Sequence, residues 1–427
     1  MGIGETKKIA AEYYIHQGRE TVQVAQENRT LASKIDTTPD HLLTDDELIA
    51  YMQKPKVDIL PNPQKGNVDR SAILNEYKTF LAGKIPQSVS AYHSYDQTVA
   101  ALKNYAKTYP DLCKLVSIGK TYEGRDIYAL CVSSGTKGDT SKKPGVVING
   151  LHHAREWATN EVVLKTADVL LTGYAKDPKM KERVNKGEIW LVPLVNPDGY
   201  VYSQTKSSMW RKNRRPVTTT SCDEKSGVCR TDVKAIGVDP NRNYYDGDPA
   251  HLWLYRPDGS RPDVPKDTPC STDDDFSSTS DDPQDDTYRG LDSMREAEVT
   301  AMMKLEWQEH HNMVGVLDFH SAAGQVLTPM SEVYDNISEK AAYDALGQKM
   351  AAAAGDSYQV LRSADLYPCS GASQDFQYLH GLFTYTVELA GSFQPSGSAL
   401  KQNIEDGKNM SLVFIDDRLG VKTKPNV

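Results

Sequence analysis

The sequence predicts an α/β domain over residues 92–427, and three observations predict it. From Tyr92 onward, short apolar segments of strand character alternate with amphipathic helical segments. Two of the apolar runs, "EIWLVPLV" (188–195) and "MVGVLDFH" (313–320), are continuous rather than alternating. That is the pattern of strands buried on both faces of a mostly parallel sheet. Polar groups with strong affinity for protons, metals and anions gather where such runs end, and open α/β sheets collect function at their carboxyl ends.

Taken in order, "SYDQTVAALKNYAKTYP" (94–110) has helical spacing of its apolar residues and stops at a proline. "KLVSIG" (114–119) and "IYALCVS" (127–133) read as strands joined by "KTYEGRD", a hairpin-like turn. "GVVIN" (145–149) reads as a third strand, and "TNEVVLKTADVLLTGYA" (159–175) as a helix with apolar residues at intervals of three and four. "FTYTVELAG" (383–391) closes the series as a strand. Residues 1–90 differ in texture. They read as polar helical pieces broken by the proline-rich linker "PKVDILPNPQKGN", and form an N-terminal extension.

Composition narrows the function. Of 427 residues, 39% are hydrophobic and 25% charged, which is ordinary globular composition. A formal net charge of -9 disfavours nucleic-acid and anionic-membrane partners. No apolar run reaches the roughly 18 residues of a membrane span. The first residues lack the apolar core of a signal peptide, so the protein is either intracellular or has lost such a signal. Six cysteines without a CxxC argue against a cysteine zinc site and for an oxidising compartment. Cys113 and Cys131, on the two hairpin strands, are candidates for cross-strand pairing. Sequons at Asn28, Asn336 and Asn409 are compatible with secretion. The segment 271–286 carries seven aspartates; it reads first as a solvated loop, with a calcium site as the sharper alternative.

Four strand ends or turns bring the chemistry. "GVVINGLHHARE" supplies His153 and Glu156, "MVGVLDFHS" supplies Asp318 and His320, and "FTYTVELAG" supplies Glu388. "IGVDPNRN" supplies Asp239, Asn241 and Arg242. Two imidazoles and a carboxylate make the ligand set of a catalytic zinc, which keeps one position open. Glu388 is then the candidate base that takes a proton from water.

The chain resembles the M14 metallocarboxypeptidases of the carboxypeptidase A/B type. The resemblance rests on "KTYEGRDIYAL", "GLHHAREWA", "VPLVNPDGY", "MWRKNR", "GVDPNRN", "LDFHSAAGQVLTP", "LYPCSGASQDF" and "TVELAG", in that order. It implies a mixed, twisted sheet of about eight strands flanked by helices. It implies one zinc per chain on His153, Glu156 and His320, with His152 left as a sheet-end or surface residue. Asp239 is similar to the carboxylate that orients the first zinc histidine. Arg211 matches the arginine that stabilises the oxyanion. Asn241 and Arg242 match the pair that binds the substrate's free carboxylate. Arg155 matches an outer substrate position, and Tyr367 the mobile tyrosine that closes over substrate. Gln374 stands at the floor of the pocket for the departing side chain, and Arg362 near its wall. The implied partners are peptides or proteins with a free C-terminus, and the implied location is extracellular. Residues 1–90 stand where many family members carry an inhibitory prosegment but show no motif matching one, so they read equally as a prosegment or as an unrelated accessory segment.

Two departures qualify the resemblance. Ala322 and Ala323 follow His320 where the pancreatic enzymes commonly carry a bulkier tyrosine, which implies a more open outer subsite. Ala235 stands where the family has a cysteine, so Cys270 is left to reach Cys222 or Cys229. A zinc amidase acting on cell-wall peptides shares the same ligands and is the alternative enzyme; a non-catalytic peptide-binding relative would be expected to have lost Glu388.

Overall fold

The computed structural model describes residues 92–421, apart from 139, 141, 223–228, 235–236, 246–277, 292, 309–311, 333–336 and 356. For 218–222 and 229–234 it describes the backbone alone. The extension 1–90, Ala235 and Cys270 therefore lie outside the described residues.

Helix α1 (Tyr95–Thr108) begins at a capping box. Ser94 Oγ accepts from Gln97 N at 3.2 Å and Gln97 Oε1 accepts from Ser94 N at 2.8 Å, which satisfies two donors the first turn leaves open. It ends short of Pro110, as the residue before a proline disfavours helix. Strands β1 (Cys113–Lys120) and β2 (Asp126–Val132) form the expected hairpin. Next come β3 (Gly145–Gly150), α2 (Ala158–Gly173), α3 (Pro178–Lys186), β4 (Glu188–Val192) and α4 (Pro197–Thr205). The predicted strand "EIWLVPLV" stops at Val192 because Pro193 has no N–H to give the ladder. A separate antiparallel pair, β5 (Val217–Cys222) and β6 (Cys229–Lys234), follows. Then come α5 (Ala297–Met303), β7 (Met313–Ser321), β8 (Gln325–Thr328), α6 (Lys340–Ala353) and β9 (Gln359–Arg362). The chain closes with α7 (Ser363–Leu366), α8 (Ser373–Leu379), β10 (Phe383–Leu389) and α9 (Gly397–Arg418).

Eight strands form one mixed sheet in the order β1-β2-β4-β3-β7-β10-β8-β9. Its centre, β4-β3-β7-β10, is parallel, and antiparallel pairs flank it. Alternation along β7 divides its side chains between two layers. Gly315, Leu317 and Phe319 face α9 and α2. The approach is close: a Cβ on Gly407 of α9 would lie 2.5 Å from Val162 of α2 and 3.2 Å from Phe319. Val316 faces the other way, into a core with Val147, Trp190, Val192, Tyr244, Val299 and Phe376. On that same face, Asp318 and His320 reach the carboxyl end.

The expected Cys113–Cys131 pairing is not formed. Cys113 stands opposite Val132 and Cys131 opposite Lys114, so with a period of two the thiols point to opposite faces. Both are free and buried. Cys222 and Cys229 are directly opposite in the backbone register of β5 and β6. Asn409 sits inside α9 and donates to Ala353 O at 3.1 Å, so that sequon is committed to helix packing.

Candidate metal and catalytic site

The site is built at the carboxyl ends of β3, β7 and β10. After β3 the chain turns through Leu151, whose φ of 63° is unusual for a branched residue. Thr159 holds the turn: its Oγ1 accepts from Leu151 N at 3.0 Å and donates to Glu156 O at 2.8 Å. The loop so fixed carries His152, His153 and Glu156, all buried. β7 brings His320 alongside, and parallel pairing sets Glu388 of β10 in register with it.

His153 Nδ1 lies 2.7 Å from Glu156 Oε1 and 3.0 Å from His320 Nδ1. His320 Nδ1 lies 3.1 Å from Glu156 Oε2. Two ring nitrogens at that distance share an N–H···N hydrogen bond or turn their lone pairs to a common cation. Burial opposes charge on His320, but Asp318 and Glu156 outweigh it and hold the ring protonated well above the usual imidazole range. Burial opposes charge on Glu156 as well, and His153 and His320 overcome it, holding the carboxyl well below its ordinary range. One ligand atom from each of His153, Glu156 and His320 lies within 4.8 Å of the others, and the set of nitrogen and carboxylate donors fits a divalent zinc ion.

Around this trio stand the other expected residues. Asp239 precedes the short turn Pro240–Arg242, and its Oδ1 caps the turn by accepting from Asn241 N at 2.9 Å. That same Oδ1 is 3.3 Å from His153 Nε2. Its Oδ2 takes Arg211 Nε at 2.8 Å. Despite burial, Arg211 and His153 keep Asp239 ionised well below the usual range. Asn241 Oδ1 accepts from Ser373 N at 2.8 Å, and its Nδ2 lies 3.4 Å from His320 Nε2. Arg242 is buried, with Nε on Ser278 O at 2.9 Å and Nη1 on Asn241 O at 2.7 Å. Its guanidinium lies 5.9 Å from the ring centre of Tyr367, which is 39% exposed. Burial, aided by Glu156, pushes the Glu388 carboxyl up to about 7.

Arg155 points to the rim. Its Nη1 pairs with Asp286 at 3.0 Å and its guanidinium stacks on Phe393 at 4.5 Å. Gln374 is buried on α8; its Nε2 donates to Leu327 O at 2.8 Å, while its Oε1 has no hydrogen-bond partner among the described residues. Arg362 pairs with Asp365 at 2.7 Å.

Two residues have a larger part in the site than the sequence implies. His152, expected as a sheet-end or surface residue, lies just past the end of β3 and is fully buried: its Nδ1 lies 3.0 Å from Asp318 and its Nε2 2.8 Å from Tyr244 Oη. Asp318 also meets His320 Nε2 at 3.1 Å and Ser373 Oγ at 3.0 Å. The signal was present: Asp-x-His on a strand puts both side chains on one face.

Comparison with known proteins decides the family. The family described as zinc carboxypeptidase matches residues 98–410. The chain belongs to the zinc carboxypeptidase family. It is similar to mouse carboxypeptidase A4, at 29% identity over 310 residues covering 70% of this chain and 62% of the relative. It is also similar to carboxypeptidase B of Canis lupus familiaris, at 28% identity covering 74% of this chain and 69% of the relative. The matched stretch thus spans less than two thirds of the mouse relative. In fold it is similar to carboxypeptidase A from Helicoverpa armigera, with a TM-score of 0.60, 23% identity, and coverage of 78% of this chain and 75% of that one. The family's sheet architecture is the one observed here.

Calcium finds no support. Among the described residues, no group of three or more ligands other than those around His320 comes close enough to hold a metal. Asp273, Asp274 and Asp275 lie outside the described residues. The rest of the acidic segment is pinned by the chain's own cations: Arg155 holds Asp286, and Lys212 Nζ donates to Pro283 O at 2.9 Å and Asp285 O at 2.8 Å. No helix among the described residues is long and apolar enough to cross a membrane.

Proposed function

We propose that the protein is a zinc-dependent exopeptidase that hydrolyses the last peptide bond of peptides and proteins with a free C-terminus. The convergence of His153 Nδ1, His320 Nδ1 and Glu156 beside a buried glutamate, Glu388, carries this reading. One zinc per chain would be held by His153, Glu156 and His320. Bound there, zinc supplies Lewis acidity, which acidifies water and polarises a carbonyl oxygen.

The chain's own groups do the rest. Glu388 takes the proton of the attacking water and passes it to the departing amine; a carboxyl raised to about 7 suits both directions of transfer. Arg211, fixed by Asp239, places a permanent cation where the tetrahedral oxyanion develops. Arg242 and Asn241 bind the free carboxylate, which makes a C-terminus part of recognition. Tyr367 closes over the bound residue, and Arg155 contacts the substrate further out. Gln374 lines the pocket for the departing side chain. An uncharged amide offers no counter-charge to a lysine or arginine, so neutral C-terminal residues are preferred. We read residues 1–90 as an N-terminal extension of prosegment type, and 91–427 as the peptidase domain of a secreted protein.

The test is hydrolysis of matched peptides with free and amidated C-termini, with and without a zinc chelator. Release of a single C-terminal amino acid from the free peptides alone, lost with chelation, is expected. Equal cleavage of the amidated peptides would overturn the exopeptidase reading.

A further inference from the structure

Both zinc-site histidines turn a second nitrogen away from the metal position, and each second nitrogen faces a carboxylate. The two pairings differ. Asp239 lies 3.3 Å from His153 Nε2, but its other oxygen is bound by the Arg211 guanidinium at 2.8 Å. Its charge is already balanced by a fixed cation. Asp318 lies 3.1 Å from His320 Nε2, and its other contacts are His152 Nδ1 at 3.0 Å and Ser373 Oγ at 3.0 Å. Neither contact carries a fixed positive charge.

The hydrogen bonds around Asp318 have one consistent direction. The Asp318 carboxylate can only accept, so His152 Nδ1–H donates to it, and His152 Nε2 faces Tyr244 Oη at 2.8 Å. Ser373 donates its hydroxyl. His320 Nε2–H donates to Asp318 Oδ2, and that leaves the lone pair of His320 Nδ1 for the metal. His152 also lies face to face with His320, 5.6 Å apart with planes 9° from parallel. It limits how the His320 ring can rotate.

We infer that Asp318, held by His152, Tyr244 and Ser373, is the principal positioning residue of the zinc site, and that it contributes more to zinc affinity than Asp239. Charge gives the same ranking. Glu156 and Asp318 together match a divalent ion, whereas Asp239 and Arg211 cancel. A carboxylate behind an imidazole fixes its tautomer and raises its basicity, and removing such a partner typically weakens metal binding about 10–100-fold.

The inference rests on the proposed zinc reading, so the experiment separates the two. Zinc dissociation constants of the full chain are measured by competition with a fluorescent chelator for the parent, His320→Ala, Asp318→Asn, Asp239→Asn and His152→Gln. Asp318→Asn is expected to weaken zinc by about 10–100-fold, and Asp239→Asn by less. The cobalt-substituted Asp318→Asn protein is expected to show a shifted visible absorption band. The metal-free variant is expected to melt lower than the metal-free parent, because the buried pairing of Asp318 with His152 and His320 is broken, so zinc affinity is read on folded protein below its melting temperature. If His320→Ala keeps parental affinity, the zinc reading itself fails. If His320→Ala loses zinc while Asp318→Asn stays within twofold of the parent, the positioning role alone is overturned. A larger loss in Asp239→Asn overturns the ranking. Should Asp318→Asn not fold, His152→Gln decides: a weakening of at least about 3-fold supports the role, and unchanged affinity overturns it. Two zinc equivalents in the parent, one of them lost in His152→Gln, would make His152, Asp318 and His320 a second metal site instead.

Discussion

The two faces of β7 are one strand serving opposite ends. Gly315, Leu317 and Phe319 pack under α9 and α2, with Phe319 fully buried among apolar groups. Val316, Asp318 and His320 point the other way, and the last two stand in a buried network of acids and imidazoles. The first face gains stability from each group it hides from water. The second holds carboxylates that burial disfavours, and retains them only through specific partners. A period of two lets adjacent residues obey contrary rules. The contrast also says where substitutions should damage stability and where they should damage chemistry.

The sharpest separation is expected at Glu388, which shares the polar face. Glu388→Gln should lower turnover about 10²–10⁴-fold while zinc content stays at one per chain and the melting temperature does not fall. Steady-state kinetics and elemental analysis check it; near-normal turnover would remove Glu388 as the base. Phe319→Ala should do the reverse. It should cost about 3–5 kcal/mol in urea unfolding, with zinc affinity of the folded protein unchanged. A cost below about 1 kcal/mol would show that the apolar face relaxes around the cavity.

The pH dependence of stability extends the contrast to two acids in the same layer. Glu298, beside Glu296, and Glu306, held by Gln377, are pushed by burial from 4.5 up to about 8. The folded state then keeps protons that the unfolded state releases. Stability should therefore fall as pH rises from 4.5 to about 8, and level off above that. Glu298→Gln and Glu306→Gln should flatten the curve, raising stability at pH 8 most; an unchanged slope in both would assign the effect to other groups. The smallest effect is expected at the pocket. Peptides ending in Phe, Leu or Gln should be favoured over those ending in Lys, Arg or Glu by a graded ~1–3 kcal/mol in kcat/KM. Dominance of Lys and Arg, or of Glu, would show that a residue other than Gln374 sets the pocket's charge.

What the sequence made legible followed from strong local signals. β1, β2, β3, β4, β7 and β10 were marked by apolar runs, and α1 and α2 by their spacing. β8 and β9 have four residues each, too few for periodicity to register. Helix α9 was passed over, although it covers the apolar face; polar residues such as Asn403, Asp406 and Asp416 lie on its buried side and blur the pattern. At the site, the polar strand ends pointed to His153, Glu156, His320 and Glu388; folding brings the first three within contact distance and sets Glu388 in register with His320. His152 was not legible, because a loop residue has no periodicity to reveal which way it turns. The thiols failed for a related reason: nearness in a hairpin does not fix the face on which a side chain lies.

The burial of those thiols has a practical use. Cys113, Cys131 and Cys369 are free and enclosed, and burial pushes the Cys113 thiol up to about 11 and raises the other two as well. A thiol so protonated and shielded reacts with an alkylating reagent only when its surroundings open. Cys131 lies on β2, one strand in from the edge of the sheet, and Cys369 sits close enough to Arg242 for the guanidinium to bear on its ionisation. Labelling rates at the two sulfurs, read by peptide mass, would time the breathing of the sheet and of the segment beside Arg242 separately, with no engineered probe.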